Sequence, residues 1–377
     1  MTDEPLKIGV LGYRFMGKAH ANAMARLPMF FPDAPEIERH TLVGRDEEAL
    51  ADAAERFGFS HTATDWEAAL DEVDVFYNLG PNHVHAEPSI AALEAGVPVL
   101  CEKPLAPTLE EAAAMRDAAA ATGVTAGAAF NYRFVPAIRY AKELIDDGEL
   151  GEIRQVRGRY LQDWLVDPEA PWAWRMDAEM AGSGALGDLG AHTIDLASFL
   201  VGDAVGGIDR VSGQLTTFVD ERPVYDDDGS VEEYRDVTVD DAYSAQVAYE
   251  SGATGTFEAS RVAEGHKNDH TLAVHGTKGS LRFSLERLNE LEVLREGNRG
   301  YETVLVTEES DPYVDRWWPP GHVIGWEHTF VHESYEFLSA VAEAGSFEPS
   351  FEDGYEVQRA LAAVERSDER GERVAVD

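Results

Sequence analysis

The order of apolar and polar positions divides the chain into two regions. Over residues 1–128, short apolar runs alternate with segments of helical period, beginning with strand-like Leu6–Leu11 and helical Ala19–Leu27. Strands that alternate with helices of this length are typical of βαβ units and a parallel sheet. We therefore predict an α/β domain with a doubly wound parallel sheet over residues 1–128.

From about residue 129 the period changes to two. Strand-like runs such as Ile153–Tyr160, Tyr243–Tyr249 and Thr271–His275 are separated by polar turns, which favours an antiparallel sheet with one covered face. We predict an α+β domain over residues 129–377 with a large, mostly antiparallel open sheet. Its C-terminal helix is a candidate to pack back toward the first domain.

One segment of this second region is strongly acidic. Residues 220–241 include Asp226-Asp227-Asp228-Gly229 and few apolar side chains, so we expect an exposed hairpin. A Ca²⁺ loop is the alternative, although the segment lacks the helix–loop–helix setting and spacing of an EF-hand. We expect no metal site.

Composition limits the partners. The 71 acidic and 31 basic residues give a formal charge of −40, which repels nucleic acids and anionic membranes. An acid-rich, lysine-poor chain of this kind resembles proteins of extreme halophiles, so we expect it to need salt. The acidic N-terminus lacks a secretory apolar region, which predicts a cytoplasmic location. The lone Cys101 excludes an internal disulfide.

One of the few lysines stands out. Lys103 follows the apolar run Gly96–Cys101 in the tripeptide Glu102-Lys103-Pro104. In an open α/β sheet, ligands bind at the carboxyl ends of the parallel strands. A cation at such a strand end is therefore a candidate for ligand binding.

A glycine-containing turn follows the first strand. Gly12-Tyr13-Arg14-Phe15-Met16-Gly17 opens the first helix, which is the setting that a dinucleotide-binding fingerprint requires. Gly12 suits the tight turn and Gly17 the close packing of helix on strand. Arg14 replaces the middle glycine, and the helix N-terminus still offers donors to a phosphate. A turn without ligand is the alternative for this motif alone.

The end of the second strand bears on the cofactor. It reads Val43-Gly44-Arg45-Asp46, so glycine stands where an acidic residue usually accepts the ribose hydroxyls. Arg45 then favours the 2′-phosphate of NADP, whereas Asp46 favours NAD. We place NADP slightly above NAD.

An acid–imidazole pair lies in the second region. Asp188 and His192 follow a glycine-rich stretch and are four positions apart, so on a helix they share one face. Imidazole is suited to accept a proton near neutral pH. A structural pair is the alternative.

Together these motifs resemble the Gfo/Idh/MocA oxidoreductases, the family of glucose-fructose oxidoreductase and inositol dehydrogenase. Further matches are Gly80–His85, Phe130–Phe134, Trp174-Arg175 and Asp353–Val357, so the resemblance covers nearly the whole chain. It implies a Rossmann domain over residues 1–128, and a domain for substrate binding and oligomerisation over residues 129–377.

The resemblance also implies an activity. We expect an NAD(P)-dependent oxidoreductase that transfers hydride between a secondary hydroxyl of a sugar, polyol or related small molecule and the nicotinamide. The protein is expected to form a homodimer or homotetramer. An NAD-dependent glycosidase without net redox change and a non-enzymatic NADP-sensing regulator are the alternatives.

Roles follow for individual residues. Lys103 is expected to hydrogen-bond the substrate hydroxyl, and His192 is expected to take the proton of that hydroxyl. Asp188 is expected to orient the substrate and His192. Residues expected at the cofactor are Gly12, Tyr13, Arg14, Phe15, Met16, Gly17, Gly44, Arg45, Leu79, Pro81, Asn82, His85, Glu102 and Lys103. Residues expected at the substrate are Arg133, Trp174, Arg175, Asp188, His192 and His322. The arginines, the tryptophan and His322 in this set each have an alternative interpretation. The arginines would then form salt bridges, the tryptophan would lie in the core, and His322 would be an ordinary loop residue.

Overall fold

The computed structural model describes residues 4–226 and 228–377. In chain order the strands are β1 (Leu6–Leu11), β2 (Ile37–Val43), β3 (His61–Ala63), β4 (Val75–Asn78), β5 (Val99–Glu102), β6 (Ala126–Ala129), β7 (Ile153–Leu161), β8 (Ile208–Thr216), β9 (Glu221–Tyr225), β10 (Val231–Asp236), β11 (Ala242–Tyr249), β12 (Thr254–Ser260), β13 (Asp269–Gly276), β14 (Ser280–Ser284), β15 (Glu290–Leu294), β16 (Glu302–Leu305) and β17 (Val374–Ala375). The α-helices are α1 (Phe15–Phe30), α2 (Glu47–Phe57), α3 (Trp66–Leu70), α4 (Ala86–Glu94), α5 (Leu109–Thr122), α6 (Pro136–Asp146), α7 (Ala178–Ala181), α8 (Ala191–Val205), α9 (Trp326–Ala342) and α10 (Phe351–Arg370).

The first compact unit comprises Met1–Phe134 and Gly325–Tyr355. Its parallel sheet has the order β3-β2-β1-β4-β5-β6. The order in which strands are added therefore reverses between β1 and β4, as in a doubly wound dinucleotide fold. Strands β4, β5 and β6 are buried along their length, as expected where helices cover both faces. The predicted parallel sheet is confirmed, and the three-residue β3 is too short to have been predicted from period.

Helix α9 packs within this first unit, although it lies late in the sequence. Trp326 stacks on Phe15 of α1 with ring centroids 5.5 Å apart, and Tyr335 packs against Phe31 at 4.6 Å. The Tyr335 hydroxyl also donates to the Asp33 carboxylate at 2.8 Å. The first stretch of the compact unit ends at Phe134, close to the change of period, but the unit also includes Gly325–Tyr355. The sequence did not show this, because an amphipathic pattern indicates that a helix has a buried face but not which core buries it.

The second compact unit comprises Val135–Ile324 and Glu356–Asp377. Its sheet has the order β16-β15-β14-β13-β7-β12-β11-β8-β17. Strands β7 and β12 pair in parallel, and the other neighbouring pairs run antiparallel. The predicted mostly antiparallel sheet is confirmed.

Strand β7 shows how this sheet separates its faces. Val156, Gly158 and Tyr160 are buried, while Arg157 and Arg159 are exposed. A Cβ at Gly158 would lie 2.3 Å from the Thr193 methyl group of α8, so α8 packs directly on the buried face. The other face carries the arginines.

The acidic segment forms a hairpin, as predicted. Strands β9 and β10 pair antiparallel, and β10 is exposed throughout. Strand β9 holds a fully buried arginine, Arg222, which donates to the carbonyl oxygens of Leu165 at 2.8 Å and Asp167 at 2.7 Å. The expectation of exposure is therefore wrong at Arg222, because this side chain anchors the hairpin to the loop after β7. It is also wrong at the end of the segment, where the buried residues are Val237, Val239, Asp240 and Asp241.

Asp227 of the aspartate run lies outside the described residues. Among residues 4–226 and 228–377, no group of three or more His, Cys, Asp or Glu side chains is arranged to hold a metal ion. Over the same residues, no helix is both long and apolar enough to cross a membrane.

Candidate active site

The turn between β1 and α1 is built by close backbone contacts. Gly12 has a φ of +102°, and a Cβ there would lie 2.6 Å from the Leu79 carbonyl oxygen. A Cβ at Gly17 would lie 2.3 Å from the carbonyl oxygen of Gly12. Glycine is therefore required at both positions, and α1 approaches the strand ends as closely as the backbone allows.

The start of α1 is suited to an anion. Its first turn holds no acidic residue, and the N-cap residue Arg14 provides no side-chain cap. The amide groups of this turn and the exposed Arg14 therefore meet the requirements of a phosphate site. Phe15 is also exposed, Met16 is partly exposed, and the narrow glycine turn fits a dinucleotide pyrophosphate.

The end of β2 is covered by an aromatic ring. A Cβ at Gly44 would lie 2.3 Å from Cε1 of Tyr13, so the Tyr13 ring occupies the place where a longer residue at 44 would begin. Arg45 is exposed. Asp46 caps α2, because its carboxylate accepts the amide of Ala49 at 3.1 Å.

The loop after β4 is organised by Asn78, which sequence reasoning missed. Its Nδ2 donates to the carbonyl oxygens of Val84 and His85 and lies 3.0 Å from the Ser89 hydroxyl. These bonds fix the loop that contains the predicted cofactor residues Pro81 and Asn82, both partly exposed, next to buried Leu79. The signal in the sequence that could have identified Asn78 is its position as a polar residue at the end of an apolar strand.

His85 points into the protein. Its Nδ1 and Nε2 atoms lie 3.0 Å from the carbonyl oxygens of Pro104 and Gly80, so the ring joins the loops after β4 and β5. Burial lowers the pKa of His85, against the opposing effect of these carbonyl groups. The predicted cofactor residue therefore lies beneath the loops, and we expect it to act by shaping them.

A buried carboxylate supports the lysine. The Glu102 carboxylate lies 3.2 Å from His20 Nε2 and accepts the backbone amide of Lys103 at 3.2 Å. Glu102 is 5% exposed and His20 is fully buried. Lys103 is partly exposed, and the Glu102 carboxylate fixes its backbone amide. His20, in the middle of α1, carried no recognisable signal in the sequence.

In the second unit, Asp188 lies on a π-helical turn, Leu186–Gly190, that runs directly into α8 and His192. Such turns occur frequently at functional sites because they reorient side chains within a helix. The predicted helix is therefore present, with a widened first turn. The Asp188 side chain is 25% exposed and His192 is 8% exposed.

Asp240 holds the start of this helix. Its carboxylate accepts the amides of Gly184 at 2.7 Å and Leu186 at 2.9 Å. A Cβ at Gly184 would lie 1.7 Å from the Asp240 carbonyl oxygen, so glycine is required there. Burial raises the pKa of Asp240, opposed by these amides and by the charge of Arg261.

Arg261 pairs with Asp188. Its Nη2 donates to Asp188 Oδ2 at 3.1 Å, and its Nη1 donates to the Arg175 carbonyl oxygen at 3.2 Å. The arginine side chain is 1% exposed. Sequence reasoning missed Arg261 and Asp240 because both lie in turns far along the chain from Asp188.

His192 adjoins a buried aromatic stack. Its ring centroid lies 6.0 Å from that of Tyr160, which stacks on His270 at 4.5 Å. The Tyr160 hydroxyl donates to Asn268 Oδ1 at 2.7 Å. Burial lowers the pKa of His270 to about 3, so that ring is neutral and its stack carries no charge toward His192.

The remaining predicted substrate residues differ in setting. Arg133 is 3% exposed and pairs with Asp353 at 3.3 Å. Burial alone would raise the pKa of Asp353, but Arg133 and Ser350 hold it below its ordinary value. Arg175 lies over the Trp174 ring at 4.4 Å. His322 is exposed, and its Nδ1 donates to the Pro319 carbonyl oxygen at 2.8 Å.

Comparison with known proteins gives consistent matches over both units. Residues 6–130 match the oxidoreductase family with an NAD-binding Rossmann fold, and residues 138–282 match the GFO/IDH/MocA C-terminal domain. Levoglucosan dehydrogenase of Pseudarthrobacter phenanthrenivorans is 42% identical over 93% of each chain. A D-xylose 1-dehydrogenase that uses NADP⁺, from Haloarcula marismortui, is 32% identical over 53% of this chain and 55% of its own.

Solved structures agree. An oxidoreductase domain protein of Kribbella flavida is 46% identical, with a TM-score of 0.94 over 99% of both chains. Levoglucosan dehydrogenase in complex with NADH and levoglucosan is 41% identical, with a TM-score of 0.93 over 99% of this chain and 100% of that one. With the glycine turn and the matched sequence extending over both units, the chain belongs to the Gfo/Idh/MocA family of NAD(P)-dependent oxidoreductases.

Proposed function

We propose that this enzyme oxidises a secondary hydroxyl of a pyranose or anhydrosugar, with Lys103, Asp188 and His192 as its catalytic residues. The observation that carries the proposal is the charged pair of Asp188 and Arg261 beside His192, on a helix start that Asp240 fixes. An ion pair buried on one side and partly exposed on the other is suited to orient a polar ligand.

Oxidation of the hydroxyl breaks one O–H bond and one C–H bond and forms a carbonyl group. When bound, the nicotinamide of NAD(P) accepts the hydride. His192 takes the hydroxyl proton at Nε2, since its Nδ1 atom is buried. The Lys103 ammonium stabilises the alkoxide that develops as the proton leaves. Asp188 orients the sugar and the imidazole.

The substrate class rests on similarity. The levoglucosan dehydrogenase with 42% identity covers nearly the full length of this chain, so an anhydrosugar or a related pyranose is the first substrate to test. Trp174 and Arg175 supply an aromatic face and a donor of the kind that bind sugars.

The test is a substrate panel at high salt with NAD⁺ and NADP⁺. Levoglucosan, D-glucose, D-xylose, a methyl glucoside and myo-inositol are each supplied, and the absorbance of reduced nicotinamide is followed. We expect reduced cofactor to accumulate in proportion to a ketosugar product. Cleavage of the glucoside at constant absorbance would instead identify a glycosidase, and no change with any compound would overturn the proposal.

For the cofactor, we infer tighter binding of NADP than of NAD. Gly44 carries no carboxylate, Asp46 is engaged at the start of α2, and the exposed Arg45 is placed to meet a 2′-phosphate. The NADH complex of levoglucosan dehydrogenase favours the opposite preference. Dissociation constants for both cofactors decide between them.

We also propose a homodimer or homotetramer formed through the uncovered face of the large sheet. A trough of about 890 Å³ crosses this face and is lined by Arg157, Arg159, Arg282 and Arg287 against Glu258, Glu290 and Glu292. In a chain of net charge −40, a surface that carries four arginines against three glutamates can approach a second copy without the repulsion expected of an acidic surface. Arg157→Glu with Arg282→Glu should lower the mass measured by light scattering, and an unchanged mass would contradict this interface.

Two further properties are proposed from charge and chemistry. The charge of −40 makes the folded state dependent on salt, because ions screen its self-repulsion. Desalting should therefore lower the thermal midpoint. We place the enzyme in the cytoplasm, which supplies the nicotinamide cofactor.

A further inference from the structure

We propose that Arg261 is a positioning residue for the reaction, and that its guanidinium group fixes Asp188 and the Trp174–Met176 segment relative to each other. The proposal rests on the catalytic role proposed for Asp188. It goes further by assigning one residue to the coupling of the catalytic carboxylate with the segment expected to bind the sugar.

The geometry is that of a fork. Nη2 of Arg261 donates to Asp188 Oδ2 at 3.1 Å, while Nη1 donates to the Arg175 carbonyl oxygen at 3.2 Å. The rigid, planar guanidinium holds these two acceptors at a fixed separation, which the single ammonium of lysine does not reproduce. Asp188 and Arg175 lie 73 and 86 positions from Arg261, so the side chain joins three distant parts of the second unit.

The arginine itself is held firmly. Its backbone amide donates to the Asp241 carbonyl oxygen at 2.9 Å, and its carbonyl oxygen accepts the amide of Leu165 at 3.1 Å. The guanidinium carbon lies 5.7 Å from the centre of the Trp164 ring. The charge of Arg261 lowers the pKa of the neighbouring Asp240 carboxyl group, against the effect of burial. Asp240 is itself bonded to the amides at the start of the same helix. A buried side chain fixed in this way holds its hydrogen-bond partners in place and does not move to follow them.

A second buried arginine serves as the matched control. Arg222 is fully buried and donates to the carbonyl oxygens of Leu165 and Asp167. It therefore fixes the loop that leads to Trp174, but the acceptors of its hydrogen bonds do not include Asp188. Comparing Arg261→Met with Arg222→Met separates loss of loop packing from loss of carboxylate positioning.

The experiment is a double-mutant cycle at high salt, with kcat and KM for the best sugar and the dissociation constant of the cofactor. Arg261→Met should lower kcat/KM on the order of 10- to 100-fold, the range for a lost hydrogen bond to a charged group, with cofactor affinity unchanged. In an Asp188→Asn background, the same change should lower kcat by less than about threefold, because its charged acceptor is gone. KM should still rise on the order of tenfold there, because the bond to the Arg175 carbonyl oxygen is lost in either background. Arg222→Met should cost the same factor in both backgrounds.

Arg261→Lys adds a second measurement and covers the case in which Arg261→Met does not fold. Lysine keeps a charge for Asp188 and loses the bond to Arg175, so KM should rise on the order of tenfold while kcat stays within about threefold. Equal changes in kcat and KM in Arg261→Lys would overturn the proposal. Effects of Arg261→Met and Asp188→Asn on kcat that multiply would also overturn it. Wild-type enzyme that reduces no cofactor with any sugar would overturn the proposed function, a result seen before any variant is made.

Discussion

The two units build their candidate sites from different material. In the first unit, the cofactor turn depends on backbone approaching backbone, with Gly12 and Gly17 leaving no room for a Cβ. In the second unit, the site depends on charged side chains, with Asp188 and Asp240 arranged around Arg261. The backbone-built site is encoded in a short contiguous motif, whereas the side-chain site is assembled from positions up to 73 residues apart.

This difference determines which kind of substitution disrupts each site. A backbone cradle fails when atoms are added, because no rotamer change relieves a clash with a carbonyl group. A side-chain network fails when atoms are removed, because the partners remain buried and uncompensated. Substitutions can test both halves of the comparison.

The largest effect is expected in the side-chain site. His192→Ala should lower kcat by roughly 10²–10⁴-fold, the range for loss of a general base, with the dissociation constant of the cofactor little changed. Steady-state kinetics and cofactor titration measure the two quantities. His275→Ala, at a partly buried histidine of β13, is the control and should leave kcat within about twofold. Collapse of cofactor binding in His192→Ala would remove the proposed role.

The backbone site should respond to a single added methyl group. Gly12→Ala should weaken cofactor binding about 10- to 100-fold, because the Cβ would meet the Leu79 carbonyl oxygen at 2.6 Å and overpacking costs about 1–3 kcal/mol. Gly96→Ala is the control, since Gly96 also has a positive φ, +81°, but nothing lies within 4 Å of its Cβ position. Equal loss of affinity in both variants would show that backbone strain, not the cradle, is responsible.

The preference for NADP over NAD is expected to depend on one side chain beside the glycine turn, Arg45. Arg45→Ala should weaken NADP binding about tenfold and NAD binding much less, because a charge-assisted bond to the 2′-phosphate is lost. Isothermal titration with both cofactors measures this. Arg56→Ala, at an exposed arginine on α2, controls for the general loss of positive charge. Equal weakening of NAD and NADP by Arg45→Ala would contradict the argument.

The smallest effect concerns buried acids of the second unit. Burial, together with the charges of Asp240 and Glu369, raises the pKa of Glu365 to about 7. Between its ordinary pKa and about 7 the folded state then binds more protons than the unfolded state, so the unfolding free energy falls as pH rises. Glu365→Gln should therefore stabilise the protein at pH 8 by about 1 kcal/mol, after discounting for solvent screening, and have little effect at pH 4.

Chemical unfolding at both pH values, in high salt, measures the difference. Glu372→Gln, at an exposed acid just after α10, is the control for the general relief of negative charge. A stabilisation by Glu365→Gln that does not depend on pH would show that the burial of this carboxyl group is not the cause.

Much of the first unit could be predicted, because its signals are local. The alternation of strands and helices, the glycine turn and the strand that precedes Lys103 all depend on neighbours within one βα unit. The parts that sequence reasoning missed there are side chains that act at a distance. Asn78 ties down a loop through Val84, His85 and Ser89, and His20 reaches Glu102 across 82 positions.

The second unit shows the limit of the same reasoning. The period of two predicted the sheet, and the spacing of Asp188 and His192 placed both on one helix start. The pairing of Asp188 with Arg261 across 73 positions could not be found in this way. An arginine looks the same in a sequence whether it contacts a ligand, a carboxylate or solvent.

By itself the sequence predicted most of the strand and helix order, the candidate dinucleotide turn and the candidate lysine, acid and imidazole. These follow from periodicity, from the conformational freedom of glycine and from residue chemistry, all of which act over a few positions. Only the tertiary structure decided that α9 belongs with the first unit, that a π turn presents Asp188, and that Arg261 holds it. Those features depend on which distant surfaces pack together, and the burial that gives Arg261 its importance exists only after the chain has folded.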